Sequence, residues 1–371
     1  MRVHDLPVRK KTITLADGRL LSYYGDVPAT RYPDRRDLAR LDAPSQLRYD
    51  HLLGEWVIVA SHRQDRTFRP ADDQCPLCPS TPQRLTEIPA PRYEVAVFEN
   101  RFPALGGDSG GAGDPAAAEA AIPLLASRPA AGRCEVICFS SDHETSFAGL
   151  APAHVAIVMA AWIDRSAALA QVPGIAQVYC FENRGKDIGA TLSHPHGQIY
   201  AYPYVGPRTA RMLHAAGTYR RNRGSNLFDD LVQAERDNAE RIVVDGSHWT
   251  AFVPFAARWP YEVHLYPRHR VTDLTALSAA AKAEFCELYP DLLRRFDRLF
   301  DSPAPYVSGW HQAPVRQAGA GTSEFALHLE LFTMRRASGK LKYLAGSESG
   351  MGAFANDILP EEAARRLRGL A

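Results

Sequence analysis

Ser193-His194-Pro195-His196-Gly197-Gln198 gathers a candidate metal ligand, a candidate nucleophile and a phosphate-contacting amide into six residues. Imidazole titrates near neutrality, and its neutral form attacks phosphorus without first losing a proton from the attacking nitrogen, so His196 can carry a phosphoryl group covalently. Gln198 supplies amide N–H donors to a non-bridging oxygen without adding a permanent charge, and Gly197 allows close approach of the backbone. The flanking Val178-Tyr179-Cys180-Phe181 and Ile199-Tyr200-Ala201-Tyr202 are β-branched and aromatic, which places the motif at a strand end. Residues two apart then share a face, so His194, His196 and Gln198 are expected to project together, while Pro195, lacking an N–H, marks an edge or the end of pairing. A His-x-His pair on a strand is also compatible with a plain metal-binding or surface pair, and the surroundings have to decide.

Cys75-Pro76-Leu77-Cys78 has the two-residue spacing and turn-like setting of half a tetrahedral zinc site. No second pair follows, so the remaining ligands must come from elsewhere, with His143 and His194 as candidates. Four protein ligands leave no open position, which makes the expected zinc structural, holding the strand of His196 in place. A redox dithiol and two ordinary cysteines are the competing readings.

The elements that must position these groups are partly visible. Helical periodicity spans residues 152–169, 274–300 and 360–370, and Pro360 followed by two glutamates is a good helix start. Trp249, Phe252, Val253 and Phe255 read as a buried strand. Residues 1–46 read as an N-terminal extension with a hairpin-like stretch and the charged Asp34-Arg35-Arg36-Asp37, and residues 106–121, rich in Gly and Ala, as a surface loop. The order of features recurs: Cys134–Phe139, His143 and His194-Pro195-His196 are followed by Tyr261–Pro267, His269 and His328-Leu329-Glu330. This suggests two copies of one α+β unit, 47–215 and 216–371, in a compact whole with a mostly antiparallel sheet and helices on one side. Glu330 then stands where the first copy has His196, which leaves catalysis to the first half.

The 371 residues are 46% hydrophobic with a formal charge of +1, enough for a large core and without the basic excess of a polyanion-binding surface, so nucleic acid is not an expected partner. The amino terminus lacks an apolar h-region and no run approaches the roughly 20 residues of a membrane span, so a cytoplasmic protein without a membrane partner is expected. Six cysteines in a chain this long fit a reducing compartment.

Arg48-Tyr49-Asp50, residues 54–59, 62–66 and 97–105, Phe181-Glu182-Asn183-Arg184-Gly185 through Gln198, residues 259–262 and 309–314 together resemble the galactose-1-phosphate uridylyltransferases of the histidine-triad-like superfamily. The resemblance implies an α+β, histidine-triad-like fold duplicated in one chain. It also implies a ping-pong transfer of UMP from UDP-glucose to galactose 1-phosphate, with His196 as the uridylylated nucleophile and Gln198 on the transferred phosphoryl group. Cys75, Cys78, His143 and His194 match zinc ligands, while Asn100, Asn183, Arg66 and Thr191, with Gly189 in the same loop, match contacts to the nucleotide or its phosphates. The asparagines are also compatible with turn caps, and Arg63 and Arg66 with solvated charges, although Arg suits a phosphate clamp. The family's bacterial members carry a second metal on a glutamate and three histidines. Here Met212 stands at the glutamate position and the His-x-His pair reads His328-Leu329-Glu330, so only His311 and His328 match; a remodelled set of His311, His328 and Glu330 is the remaining candidate, and a second metal is doubtful.

The resemblance further implies a homodimer with parts of each site from the neighbour. Residues 340–356 are the candidate sugar-side loop, with Lys340 or Lys342 reaching a sugar phosphate. A related transferase or phosphorylase acting on an ADP-sugar or dinucleoside polyphosphate stays open. So does a zinc-stabilised nucleotide-binding protein without turnover, against which the intact His196 and Gln198 argue.

Overall fold

A computed structural model describes residues 8–39, 45–65, 70–106, 123–315 and 322–371. Arg66 and residues 107–121 of the Gly- and Ala-rich tract lie outside the described residues. The strands in chain order are β1 Lys10–Thr14, β2 Leu20–Tyr24, β3 Gln46–Asp50, β4 Glu55–Val59, β5 Val95–Glu99, β6 Ser127–Pro129, β7 Arg133–Cys138, β8 Gln177–Arg184, β9 His196–Tyr202, β10 Ile242–Asp245, β11 Trp249–Phe252, β12 Tyr261–Pro267, β13 Tyr306–His311 and β14 His328–Thr333, then the short pair β15 Arg335–Ala337 and β16 Lys340–Leu341. Five α-helices accompany them among the described residues: α1 Pro152–Ala170, α2 Pro207–Arg223, α3 Leu227–Asn238, α4 Ala279–Asp297 and α5 Pro360–Arg368.

Eleven strands form one sheet in the order β1-β2-β5-β7-β9-β8-β13-β14-β12-β11-β10, and each pairing is antiparallel. Read outward from the central β8–β13 contact, the two sides repeat the same sequence of strands: β8, β9, β7, β5 on one and β13, β14, β12, β11 on the other. This α+β arrangement agrees with the repeated order in the sequence. The hairpin-like N-terminal stretch is a hairpin, but it is not set apart, because β2 pairs with β5 and extends the main sheet. The boundary expected near residue 215 falls inside α2.

Alternation divides the sheet into two faces. Val178 and Cys180 of β8, Trp310 of β13, Leu329 and Leu331 of β14 and Val263 and Leu265 of β12 join the large core with residues of α1, α4 and α5. Helix α1 is long and apolar enough to cross a membrane, yet its apolar residues Val155, Val158 and Trp162 are buried in this core. The expectation of helices on one side only is corrected here. Met212 and Leu213 of α2 and Phe228 of α3 pack with Phe252, Tyr266 and Phe325 in a separate cluster, formed by the residues that alternate with the main core's. Helix α2 left little sequence signal because six of its seventeen residues, PRTARMLHAAGTYRRNR, are Arg or His and interrupt a clean apolar stripe. The periodic run at 274–300 is two elements: a 3₁₀ turn at Leu274–Ala276, then α4, whose start is capped by Ser278 accepting from the Ala281 N–H at 3.1 Å. Trp249, Phe252 and Val253 are core as expected, but Phe255 is 74% exposed, with the Arg241 guanidinium over its ring at 5.0 Å.

Glu182 of β8 is buried, and that burial pushes its carboxyl up to about 8, with Tyr306 and Arg184 opposing the shift. An unfolded glutamate titrates near ~4.3, so the folded state favours the protonated form, and stability is lost as pH rises from the unfolded value through about 8. Glu182→Gln is expected to flatten this fall, so the unfolding midpoints of parent and variant should diverge from pH 5 to pH 9 in favour of the variant. Parallel profiles would refute it.

Candidate active site and metal cluster

Strand β9 begins at His196, opposite Cys138 of β7, and continues with Gly197 opposite Ile137 and Gln198 opposite Val136 and Phe181. His194 lies ahead of the strand because the ladder starts only after Pro195, whose carbonyl accepts from the Phe139 N–H at 3.0 Å. The shared-face argument therefore applies to His196 and Gln198. At Gly197 a side chain has no room: a Cβ would lie 2.8 Å from the Phe181 carbonyl oxygen and 2.8 Å from the Phe139 ring.

The imidazole of His196 is oriented by its own neighbour. Nδ1 lies 2.7 Å from the His194 carbonyl oxygen, and since a carbonyl can only accept, Nδ1 carries the hydrogen and Nε2 the lone pair. Burial lowers the His196 pKa below its ordinary value, against the opposing effect of that carbonyl. The result is a neutral imidazole with a fixed tautomer.

Two cavities meet at this ring. One, of about 320 Å³, is lined by Arg63, Asn100, Thr191, His196 and Gln198, with apolar walls that include Leu77, Phe98, Phe102 and Val136. The other, of about 410 Å³, brings Asn183, Lys186, Thr191 and His196 together. Asn100 serves two ends, since its Oδ1 also accepts from the Phe102 N–H at 2.8 Å. Gly189 closes the 3₁₀ turn Lys186–Ile188 with φ of 81°, a left-handed conformation that favours glycine. Lys340 and Lys342 line neither cavity. Lys342 is buried, and its Nζ donates to Glu348 at 2.8 Å and to the Ala355 carbonyl.

Beside β9, one potential ligand atom each from Cys75, Cys78, His143 and His194 lies within 4.8 Å of the others. Cys78 Sγ is 3.3 Å from His143 Nδ1 and 3.6 Å from His194 Nδ1, and the two Nδ1 atoms are 3.4 Å apart. Zinc–nitrogen bonds of about 2.0 Å and zinc–sulfur bonds of about 2.3 Å give tetrahedral edges of roughly 3.3–3.8 Å, so this donor set fits a zinc ion. The outward nitrogens are held in turn. His194 Nε2 donates to the Ser140 carbonyl at 2.8 Å and lies 3.0 Å from the Tyr93 hydroxyl, while His143 Nε2 is 3.1 Å from Ser193 Oγ and 3.3 Å from Asp72 Oδ1. Such outer contacts turn the Nδ1 lone pairs inward. Burial, with the facing Cys78, pushes the Cys75 thiol up to about 11, a shift that a bound cation reverses. No spacing in the sequence pointed to Tyr93, Asp72 or Ser140, which come from three separate segments.

His311, His328 and Glu330 form a second buried group, with Glu330 oxygens 3.4 Å from His311 Nε2 and 3.5 Å from His328 Nε2. This group does not fit a metal as well as the first. Arg208 of α2 already places its Nη2 2.6 Å from Glu330 Oε2 and 2.8 Å from Oε1. Met212 packs in the apolar cluster of α2. Glu262 and His264 of β12, absent from the sequence reading, join the same neighbourhood, with His264 Nε2 2.9 Å from Glu262 Oε1 and 3.8 Å from Glu330 Oε1. Their alternate spacing along a strand was the available signal.

Two family models match successive parts of the chain. Residues 36–206 match the family model of the galactose-1-phosphate uridyl transferase N-terminal domain and residues 213–371 that of the C-terminal domain. A galactose-1-phosphate uridylyltransferase of Streptomyces lividans is 45% identical, covering 98% of this chain and 98% of that protein. One of Thermotoga maritima is 36% identical over 87% of this chain and 98% of that protein. Among solved structures, a uridylyltransferase superposes with a TM-score of 0.75 at 30% identity, covering 88% of this chain and 98% of that one. An ADP-glucose phosphorylase from Arabidopsis thaliana shares the fold, with a TM-score of 0.67 at 22% identity.

Proposed function

This chain belongs to the galactose-1-phosphate uridylyltransferase family, and from that membership we propose that it is an enzyme transferring UMP from UDP-glucose to galactose 1-phosphate through a covalent intermediate on His196. The observation that carries the reading is the His196 Nδ1 contact to the His194 carbonyl at 2.7 Å, which leaves Nε2 as the basic nitrogen where two cavities meet. Nε2 donates its lone pair to the α-phosphorus of UDP-glucose, the bond from that phosphorus to the bridging oxygen breaks, and glucose 1-phosphate leaves with the electron pair. The positive charge that the imidazole gains is stabilised through Nδ1–H against the same carbonyl. Gln198 donates to a non-bridging oxygen as its charge shifts. Galactose 1-phosphate then attacks the same phosphorus, the N–P bond breaks, and neutral His196 is restored with UDP-galactose as product. Arg63, Asn100, Asn183 and Thr191, with Arg66 and Gly189, hold the nucleotide and its phosphates.

Cys75, Cys78, His143 and His194 hold a structural zinc in this reading. A zinc ion held there would fix His194, whose carbonyl orients His196. Arg208 supplies the cation for Glu330, so no second metal is included. We assign a cytoplasmic homodimer, in which residues 340–356 of one subunit approach the sugar side of the other's site. That assignment leaves Lys340 as the exposed lysine able to reach a sugar phosphate, since Lys342 is engaged by Glu348.

Intact-protein mass spectrometry after mixing with UDP-glucose alone should show a uridylyl adduct and free glucose 1-phosphate, with the adduct discharged by galactose 1-phosphate and absent from His196→Ala. An adduct from ADP-glucose instead would replace the substrate reading, and a His196→Ala variant with parental turnover would remove the covalent mechanism. Metal analysis is expected to give about one zinc per chain, lost in Cys78→Ser together with several degrees of thermal stability. Two equivalents in the parent would restore a second site.

A further inference from the structure

Among the described residues, the 320 Å³ cavity beside His196 has one carboxylate in its wall, that of Glu87. Its surroundings are unusual for a cavity residue. Arg19 Nη2 lies 2.6 Å from Glu87 Oε2 and Arg36 Nη1 2.7 Å from Oε1, and both guanidinium groups are nearly buried. A third, Arg101, also lines the cavity and stands 4.0 Å from Oε1. Arg19 is braced by Asp17 at 2.7 Å and Arg36 by Asp34 at 2.7 Å.

This network reaches the other cavity walls as well. Arg19 Nη1 donates to the Glu99 carbonyl at 2.7 Å, next to Asn100, and the Glu87 N–H donates to the Pro76 carbonyl at 3.1 Å, next to Leu77. Arg19 comes from the loop before β2 and Arg36 from the segment beyond it, so the N-terminal hairpin region fixes a residue that faces the reaction site.

Burying a carboxylate is costly unless fixed cations compensate it. Two bonded arginines do so here, and they also prevent the carboxylate from swinging out of the wall. What remains is a preorganised acceptor set between the apolar surfaces of Leu77, Phe98, Phe102 and Val136, with the Arg101 donor beside it. A uracil ring has the complementary form: two apolar faces, and an edge on which an N–H donor is flanked by carbonyl acceptors. Cytosine offers no ring N–H at that position.

We propose that Glu87 is a specificity-determining residue that accepts the uracil N3–H, and that Arg19 and Arg36 are its positioning residues. The inference rests on the uridylyl-transfer reading and deepens it. Losing an acceptor for a buried N–H raises the Michaelis constant more than it slows the chemistry, because the contact is kept throughout the reaction.

The test compares parent, Glu87→Gln, Arg36→Gln and Arg36→Lys with UDP-glucose and CDP-glucose. Glu87→Gln should raise KM for UDP-glucose about 10-fold or more while kcat changes less, and should narrow the preference over CDP-glucose. Arg36→Gln should shift KM in the same direction by a smaller factor, with partial recovery in Arg36→Lys. Zinc content and unfolding midpoint separate this from a brace on the cysteine turn. If KM and the UDP/CDP preference stay parental in folded Glu87→Gln, or if Arg36→Gln loses zinc and kcat with KM unchanged, the inference is overturned. Should Glu87→Gln not fold, the Arg36→Gln KM decides alone. A parent that forms its adduct from ADP-glucose and not UDP-glucose sinks the underlying reading instead, a separate and recognisable outcome.

Discussion

The contact between His194 and its second neighbour in sequence is the constraint on which the site depends. The carbonyl of His194 fixes the tautomer of His196, while the ring of His194 faces the cysteines and is held from behind by Ser140 and Tyr93. One residue thus connects the cluster to the His196 imidazole through its own carbonyl. Pro195 makes this possible: without an N–H it cannot enter the ladder, so the chain turns between a buried ring and the first residue of β9. A cluster that holds His194 therefore holds the direction of the His196 lone pair.

The sheet sets this site in a fold with two similar sides, and side-chain chemistry makes the sides unequal. In the first half, the position at the start of β9 is a neutral histidine facing open cavities. In the second, Glu330 of β14 is buried among His311, His328 and His264 and is bound by Arg208. An ionised carboxylate already satisfied by a guanidinium has little tendency to attack phosphorus or to seek another cation. The asymmetry follows from a few residues on a common backbone arrangement.

The N-terminal hairpin has a similar lesson about edges. β1 and β2 extend the sheet beyond β5 and cover what would otherwise be an exposed edge next to the site. The arginines carried by this region reach inward to Glu87, so sheet completion and the shaping of the cavity are done by one segment.

The sequence by itself determined the candidate chemistry-bearing set and much of the architecture. His196, Gln198, the four cluster residues, α1 and the antiparallel character were legible because each depends on local types and spacings: a two-residue cysteine pair, a period-two strand, an apolar helical stripe. The apolar, aromatic run of β11 also marked Trp249 and Phe252 as interior, but not that Phe255, past the strand's end, would be outside. Only the tertiary structure decided that α2 and α3 cover the second face, that Arg208 meets Glu330 across 122 positions of chain, and that Arg19 and Arg36 converge on Glu87. These outcomes depend on pairings between segments far apart in sequence. Neither propensity nor periodicity records them, because the free energy of a buried ion pair or a helix–sheet contact belongs to both partners and exists only once the chain has brought them together.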